Sequence, residues 1–277
     1  IVNAYRNGRG ASSIARIQKI SRRAVYDLIE AHKKFGVDAY TIKKVGRPSQ
    51  KINSVFVEKV VSIRNADDYG SEKLHYVMKR DGFSVSRRQI QKILDQQGLT
   101  EPCEKRRGQR KYVRYQWPIS NYMWHCDWTE YEGKYIIAFI DDRSRKIMAA
   151  GEFTGATKEN TFRIFHQAML MNQVCPVIML SDKGTQFFVN VKNKKGERIL
   201  SEFEQELRDD FGIELWTSRR NHPQTNGKVE RWFETMKKRF KKHPEEILQD
   251  FVKWYNEKRI HHALHYQTPD EVYWSKL

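Results

Sequence analysis

At 277 residues, with 39% hydrophobic residues but a mean hydropathy of −0.78, the chain can fill two or three modest cores. No apolar run reaches the ~18 residues of a membrane helix, and Cys103, Cys126 and Cys175 are odd in number, far apart and without Cys-x-x-Cys spacing, which argues against a disulfide framework or a cysteine-built zinc site. The formal net charge of +17 is uneven: residues 1–117 carry 26 Lys and Arg against 11 Asp and Glu, whereas residues 118–277 carry 25 against 23, so the front of the chain points to a polyanion and the back to a balanced globular domain.

The cysteine usage points to a reducing compartment, cytoplasmic or nucleoid-associated in a prokaryote, or nuclear in a eukaryote. No signal-peptide pattern opens the chain, and its first residue is Ile; the expectation is a fragment lacking its natural start.

Ile1 to Asn7 reads as the end of a helix stopped by Gly8 and Gly10. Ser12 or Ser13 can cap a short helix through Ile17, and Ser21 starts a longer one with Val25, Leu28, Ile29 and His32 at helical spacing. Helix, tight turn, helix within residues 1–36 is the helix-turn-helix pattern. Arg22, Arg23 and Tyr26 lie at the start of the helix that would enter a major groove; an ordinary three-helix bundle with a basic surface is the alternative. Residues 37–50 read as a basic linker, in which Gly46-Arg47-Pro48 resembles the short arms that lie in narrow A·T-rich minor grooves.

Residues 51–99 repeat the trihelical plan. Val55, Val57, Val60, Val61 and Ile63 mark a first helix, Ser71 to Met78 a second, and Arg87 to Leu94 a third, with Ser86 as its N-cap. Arg87, Arg88 and Gln91 would face DNA, since Arg and Gln match guanine and adenine edges. Two such modules suggest bipartite recognition of double-stranded DNA, with affinity raised by effective concentration. Residues 100–117 are a second basic linker, in which Arg106, Arg107 and Arg110 could track phosphates.

From Met123 the order reads strand, strand, strand, helix, strand, helix, strand, helix: a mixed α/β domain over residues 118–277. Strands are expected at Tyr135–Asp142, Ile147–Phe153, Val177–Ser181 and Ile213–Thr217, and helices at Glu159–Leu170 and Ser201–Phe211, the latter with a Ser201/Glu204 capping box. Three acids stand out. Asp127 sits within the apolar run Trp124 to Thr129. Asp182 ends the apolar strand Val177–Ser181. Glu230 lies off the apolar stripe of a helix carrying Val229, Trp232, Phe233, Met236 and Phe240, just after the turn residues Asn221 to Gly227. A lone Glu in a first turn is explained by the helix dipole. An acid inside an apolar strand, however, must find a partner. Three carboxylates could share Mg²⁺ or Mn²⁺, and a pair of such ions ~3.5–4 Å apart suits phosphoryl transfer.

Four blocks carry a resemblance: Cys126-Asp127-Trp128-Thr129, Ser181-Asp182-Lys183-Gly184-Thr185-Gln186-Phe187, His222 to Arg231, and Trp254-Tyr255-Asn256 through Arg259, His261, Ala263, Leu264, Thr268-Pro269 and Val272-Tyr273. In this order they resemble the DDE transposases of insertion sequences, part of the retroviral-integrase-like superfamily, over about Pro118 to Leu277. The resemblance implies a ribonuclease-H-like fold with a mixed five-stranded sheet. It also implies a catalytic, metal-holding triad of Asp127, Asp182 and Glu230 with two Mg²⁺ or Mn²⁺ ions, cleavage at transposon ends and strand transfer into target DNA. Pairing of two ends implies a homodimer or tetramer on DNA. In that family a module with Tyr69-Gly70 and Ser86-Arg87-Arg88 commonly precedes the catalytic domain. A DNA-binding regulator with an inactive core, and a ribonuclease-H-like nuclease acting on hybrids, are the alternatives.

The spacing from Asp182 to Glu230, 230 − 182 = 48 positions, exceeds the family's by about a dozen. The surplus is expected as a β-hairpin in 188–200, on the far side of the domain from the site. Related integrases carry a DNA-contacting Lys four residues after the catalytic Glu; here Glu234 stands there and Lys237 follows. Asp141 and Asp142, before Arg143 and Arg145, read as hairpin-tip turn residues, and His261, His262 and His265 as helical residues without the partners that zinc needs.

Overall fold

The computed structural model describes residues 1–37, 53–100, 116–217 and 226–275, which fall into two compact units, Ile1–Ile52 and Asn53–Leu277. Arg47, Arg106, Arg107 and Arg110 lie outside the described residues, as does the segment 218–225 that precedes Glu230.

The first unit holds α1 (Val2–Arg6), α2 (Ala11–Gln18) and α3 (Arg22–Phe35). Its core is small: Ala11, Ile14, Ala15, Val25 and Ile29. Ser21 caps α3 by accepting from Ala24 N at 3.1 Å. Neither Ser12 nor Ser13 caps α2. Gly10 occupies the N-cap, because Ala11 must already be helical to turn its methyl into the core. Arg22, Arg23 and Tyr26 are all exposed on the first turns of α3.

In the second unit α4 (Ser54–Asp67), α5 (Ser71–Arg80) and α6 (Arg87–Gln96) enclose Val60, Leu74, Met78, Ile90, Ile93 and Leu94. The predicted stripe of α4 is only partly inside: Val60 is fully buried, whereas Val55 stays 55% exposed. Ser86 and Gln89 close a full capping box on α6. This module packs on the α/β domain. The Tyr69 hydroxyl donates to Lys258 O at 3.3 Å and accepts from Ile260 N at 3.1 Å, Tyr76 stacks on Tyr266 with ring centroids 3.5 Å apart, and Arg80 pairs with Glu271 at 2.7 Å.

The α/β domain is built on β1 (Met123–Tyr131), β2 (Lys134–Asp141), β3 (Ile147–Phe153), β4 (Ile178–Ser181) and β5 (Glu214–Thr217), in the order β3-β2-β1-β4-β5. The first three form an antiparallel meander, and β4 and β5 join parallel to β1. Helices α7 (Lys158–Asn172) and α8 (Glu202–Asp209) cover one face over Trp124, Cys126, Ile137 and Phe139, with Phe165 and Phe203 reaching down from the helices. The other face, Ile136, Ala138 and Ile140, is covered by α9 (Gly227–Lys242) and α10 (Leu248–Glu257) through Trp232, Phe233 and Phe251. The chain closes on α11 (Pro269–Trp274), capped by Thr268 and Glu271. Period-two alternation in β1 and β2 feeds both cores at once, which is why these strands read as nearly continuous apolar runs. The architecture is that of a ribonuclease-H-like domain preceded by an all-α region.

Helix α7 lies so close to β3 that a Cβ on Gly151 would meet Ile164 Cδ1 at 2.4 Å and the Phe153 ring at 2.8 Å. Gly151→Ala is therefore expected to cost about 1–3 kcal/mol through overpacking, measured as a lower denaturation midpoint with an unchanged slope; a neutral result would mean that the layers are looser than described.

Several local expectations are corrected. The 188–200 insertion does form a short antiparallel hairpin, with Ile199 N donating to Val191 O at 2.8 Å and Asn193 N to Glu197 O at 2.9 Å around the Lys192–Arg198 bridge and Gly196 at φ +81° in its turn. It does not lie apart from the Asp182 loop: Lys183 and Arg198 both sit over the Phe188 ring, at 5.7 and 4.6 Å. Ser201 caps α8, but Glu204 leaves the capping box to pair with Arg198. The histidine cluster is not helical. His262–Leu264 is a single 3₁₀ turn ended by His265 at φ +52°, which places His261 and His265 on no common helix face.

Candidate active site

The register of the sheet sets the first two acids. In the parallel ladder His125 faces Leu180; Asp127 follows two residues later within β1, and Asp182 follows just after β4 ends at Ser181, so the two acids leave the same end of neighbouring strands. Strand spacing is about 4.8 Å. Alternation turns Asp127 away from Cys126 and toward the face covered by α9, the same face as its cross-strand partner Ala138. Asp182 ends β4, and its Oδ1 accepts from Gly184 N at 2.8 Å. A Cβ at Gly184 would stand 3.0 Å from that oxygen and 2.6 Å from Gln186 Oε1, so a side chain there would have to displace the Gln186 amide.

Helix α9 supplies the third acid. Val229, Trp232, Phe233, Met236 and Phe240 bury its apolar stripe, which leaves Glu230 exposed in the first turn. Burial and Glu234 raise its pKa, although Glu234 itself pairs with Arg231 at 2.7 Å. Asp127 is pushed up to about 7, first by burial and then by the negative charge of Asp182, with Glu230 adding to it. Asp182 and Glu230 thus both bear on Asp127. Among the described residues the three carboxylates do not close into a donor set around one point. Asn226 compensates in part: its Nδ2 donates to Asp127 Oδ2 at 3.1 Å and to Cys126 O at 3.3 Å, while its Oδ1 is buried without a partner.

The start of α9 is tied down by a buried polar network that sequence reading did not find. Asp141 and Asp142 lie at the β2–β3 turn as expected, yet both are fully buried rather than solvated. Asp141 accepts from Ser144 N, Ser144 Oγ and Asn121 N. Asp142 accepts from Trp117 N at 2.7 Å, pairs with His125 Nε2 at 2.6 Å and forms an ion pair with Lys228. Burial alone would raise the Asp142 carboxyl, but the His125 hydrogen bond and the Lys228 charge outweigh it and hold the group at about 2. Burial and Arg145 pull Lys228 down to about 8 against the pull of Asp142, and burial lowers the His125 pKa against the Asp142 hydrogen bond. Lys228 is two residues before Glu230, and His125 is two residues before Asp127. The network thus links the elements that carry both acids. The only sequence signal was an Asp pair at a strand end.

The DNA-facing expectations meet mixed surroundings. Arg88 is exposed on α6, whereas Arg87 has Glu72 at 3.7 Å and Gln91 is held by Asp95 at 2.9 Å. Lys237 is half-buried on α9.

Residues 118–223 match one family model described as an integrase core domain, and residues 211–269 match a second with the same description. The chain belongs to the integrase core family. Such a core implies a polynucleotidyl transferase of the integrase–transposase type. No curated protein matches the chain. Among solved structures, an intasome of simian T-cell lymphotropic virus in complex with PP2A regulatory subunit B56 gamma is 16% identical, with a TM-score of 0.48 over 78% of this chain and 75% of that one. The HTLV-2 integrase catalytic core domain in complex with magnesium is 20% identical, with a TM-score of 0.42 over 56% of this chain and 98% of that one. The catalytic core domain of BIV integrase is 21% identical, with a TM-score of 0.42 over 55% and 93%.

Proposed function

We propose that this integrase-core protein is a DDE transposase that binds transposon-end DNA and catalyses metal-dependent strand cleavage and strand transfer. The observation that supports the reading is that Asp127 lies within β1 and Asp182 just past the end of its parallel neighbour β4, with both Asp182 and Glu230 opposing the ionisation of Asp127. An all-carboxylate set that is poor in cations, beside the orphaned Asn226 Oδ1, suits hard divalent ions with oxygen ligands. Asp127, Asp182 and Glu230 would hold two Mg²⁺ or Mn²⁺ ions, which when bound supply activation of the attacking oxygen and stabilisation of the leaving one. The HTLV-2 core, described in complex with magnesium, agrees with that choice.

The remaining work falls to the chain itself. Strands β1 and β4 hold two carboxylates rigidly. The Lys228–Asp142–His125 network fixes the start of α9 and with it the third. The exposed Arg22, Arg23 and Tyr26 of α3 and Arg88 of α6 would position the duplex through phosphate and base contacts. Pairing of two ends calls for a dimer or tetramer on double-stranded DNA, in the cytoplasm or nucleoid of a prokaryote, or in the nucleus of a eukaryote.

The test is a joining assay with labelled end duplex and target DNA. Joined product is expected with Mg²⁺ or Mn²⁺ and none with a chelator. Binding of the end without metal-dependent cutting would favour a regulator with an inactive core, and preference for an RNA–DNA hybrid would favour a ribonuclease-H-like nuclease; either result overturns the proposal.

A further inference from the structure

A cleft of about 240 Å³ lies between the α4–α6 module and the catalytic domain, where Tyr69, Gly70 and Lys73 face Arg231, Lys238 and Arg259. Its charges do not balance. Lys242 pairs with Asp68, Arg231 with Glu234 and Arg239 with Glu246, which leaves Asp67, hydrogen-bonded by the neutral Trp254 Nε1–H at 2.7 Å, as one negative charge against Lys73, Lys238 and Arg259. Among the described residues, no salt bridge reaches Lys73, Lys238 or Arg259. The Arg259 Nε is buried with no hydrogen-bond partner, and its guanidinium lies against Trp254 and Tyr255, at 5.4 and 5.9 Å from the ring centroids. Lys73 is half-buried over the Tyr69 ring at 4.9 Å. Burial, Arg259 and Arg231 pull Lys73 down to about 7.

A partly desolvated cation without a matching counter-charge is costly; Lys73 and Arg259 are both half-buried, and an anion between them would offset that cost. A third donor group opens on the same cleft. Helix α5 runs ten residues from Ser71, and its N-cap, Gly70, supplies no side-chain cap. Its first backbone N–H groups and the positive end of its dipole remain available for an oxyanion.

We propose that this cleft is a phosphate site that takes one phosphodiester of the bound DNA, held by Lys73, Arg259 and the N-terminus of α5. The position favours DNA over an acidic peptide. Arg231 and Glu234, on the cleft wall, follow Glu230 on α9, and the opposite wall belongs to the module whose α6 carries Arg88. A duplex running from that module to the three acids would cross this junction. The proposal rests on DNA as the substrate and adds a fixed point that sets the register of the strand between recognition and chemistry. One phosphate in a rigid seat positions a scissile bond better than a mobile surface lysine does.

The experiment uses the full chain with Lys73→Met and Arg259→Met, and Lys194→Met on the exposed insertion as control. Melting is followed in inorganic phosphate and in sodium chloride of equal ionic strength. Binding of end duplex is followed across a salt series without divalent metal. Without phosphate, Lys73→Met and Arg259→Met are expected to melt at or above the wild-type temperature. Phosphate is expected to raise the melting temperature of the wild type but of neither cleft variant. The slope of log K against log salt is expected to shrink by about 0.9 in each cleft variant, one phosphate's share, and to stay at the wild-type value in Lys194→Met. A wild-type slope in both cleft variants overturns the proposal, and if phosphate still protects the wild type the seat belongs to another anion, such as a carboxylate of a partner protein. Lower melting of the variants in chloride, with phosphate protection retained, would make these residues structural and also overturns it. None of these readouts needs strand transfer, so failure here is distinguishable from failure of the transposase reading.

Discussion

Asp127→Asn is expected to abolish strand transfer and, in the metal-free protein, to raise stability above neutral pH. Its carboxyl titrates near 7 because burial and the charges of Asp182 and Glu230 oppose ionisation. The sign follows from proton counting. The unfolded chain releases this proton near pH 4, whereas the folded chain keeps it to about 7. Between those values the folded state binds more protons, so stability falls as pH rises and the full penalty is present above 7. Asparagine keeps the shape and removes the penalty. A gain on the order of 2–4 kcal/mol is expected at pH 8 and almost none at pH 4. Saturating Mn²⁺ should stabilise the wild type at pH 8 and leave the variant nearly unmoved. Activity moves the other way: Asp127→Asn, Asp182→Asn and Glu230→Gln should each lower joining by roughly 10²–10³-fold or more, the scale for lost electrostatic stabilisation of a transition state, with end binding retained. Joining at wild-type rate in any of the three removes that residue from the site. A pH-independent effect of Asp127→Asn on stability would show that the carboxyl is not strained.

Asp142→Ala is expected to cost about 3–5 kcal/mol, because it leaves Lys228 buried beside Arg145 without its anion and leaves His125 and the Trp117 N–H without their acceptor. Lys228→Met should cost less, since Asp142 keeps two of its partners and a methionine stem fills the same channel. Both changes are also expected to slow joining while Asp127, Asp182 and Glu230 remain present, since the network sets where α9 begins. Urea unfolding separates the effects: Lys228→Met should lose more activity than its modest stability change explains. If Asp142→Ala unfolds at the wild-type midpoint, the network is ornamental and the burial of the pair needs another reason.

Much of this protein was legible before folding. The apolar run Trp124 to Thr129, the apolar run before Asp182 and the helical stripe from Val229 to Phe240 pointed to strands and a helix that the α/β domain contains, and the cap residues Ser21 and Ser86 of the all-α region act as read. These are local properties: side-chain period and backbone capping depend on neighbours a few residues away. The local settings of the three acids were legible for the same reason: Asp127 lies inside a strand, Asp182 just after one and Glu230 in the first turn of a helix.

What the tertiary structure decided are pairings between residues far apart in the chain, for which a linear pattern holds no signal. Asp141 and Asp142 read as solvated turn residues because two acids before an Arg usually are; only the return of α9, bringing Lys228 across 86 positions, makes Asp142 a buried anchor. The 188–200 segment reads as a remote hairpin, but Phe188, at its start, takes both Lys183 and Arg198 against one ring. The second helical module reads as a separate domain, yet Tyr69, Tyr76 and Arg80 bind it to the catalytic domain in one compact unit. Local sequence specifies which elements form and which face of each is apolar; the free energy of burying a charge is set by whichever groups the rest of the fold brings against it, and that is settled only when the layers close.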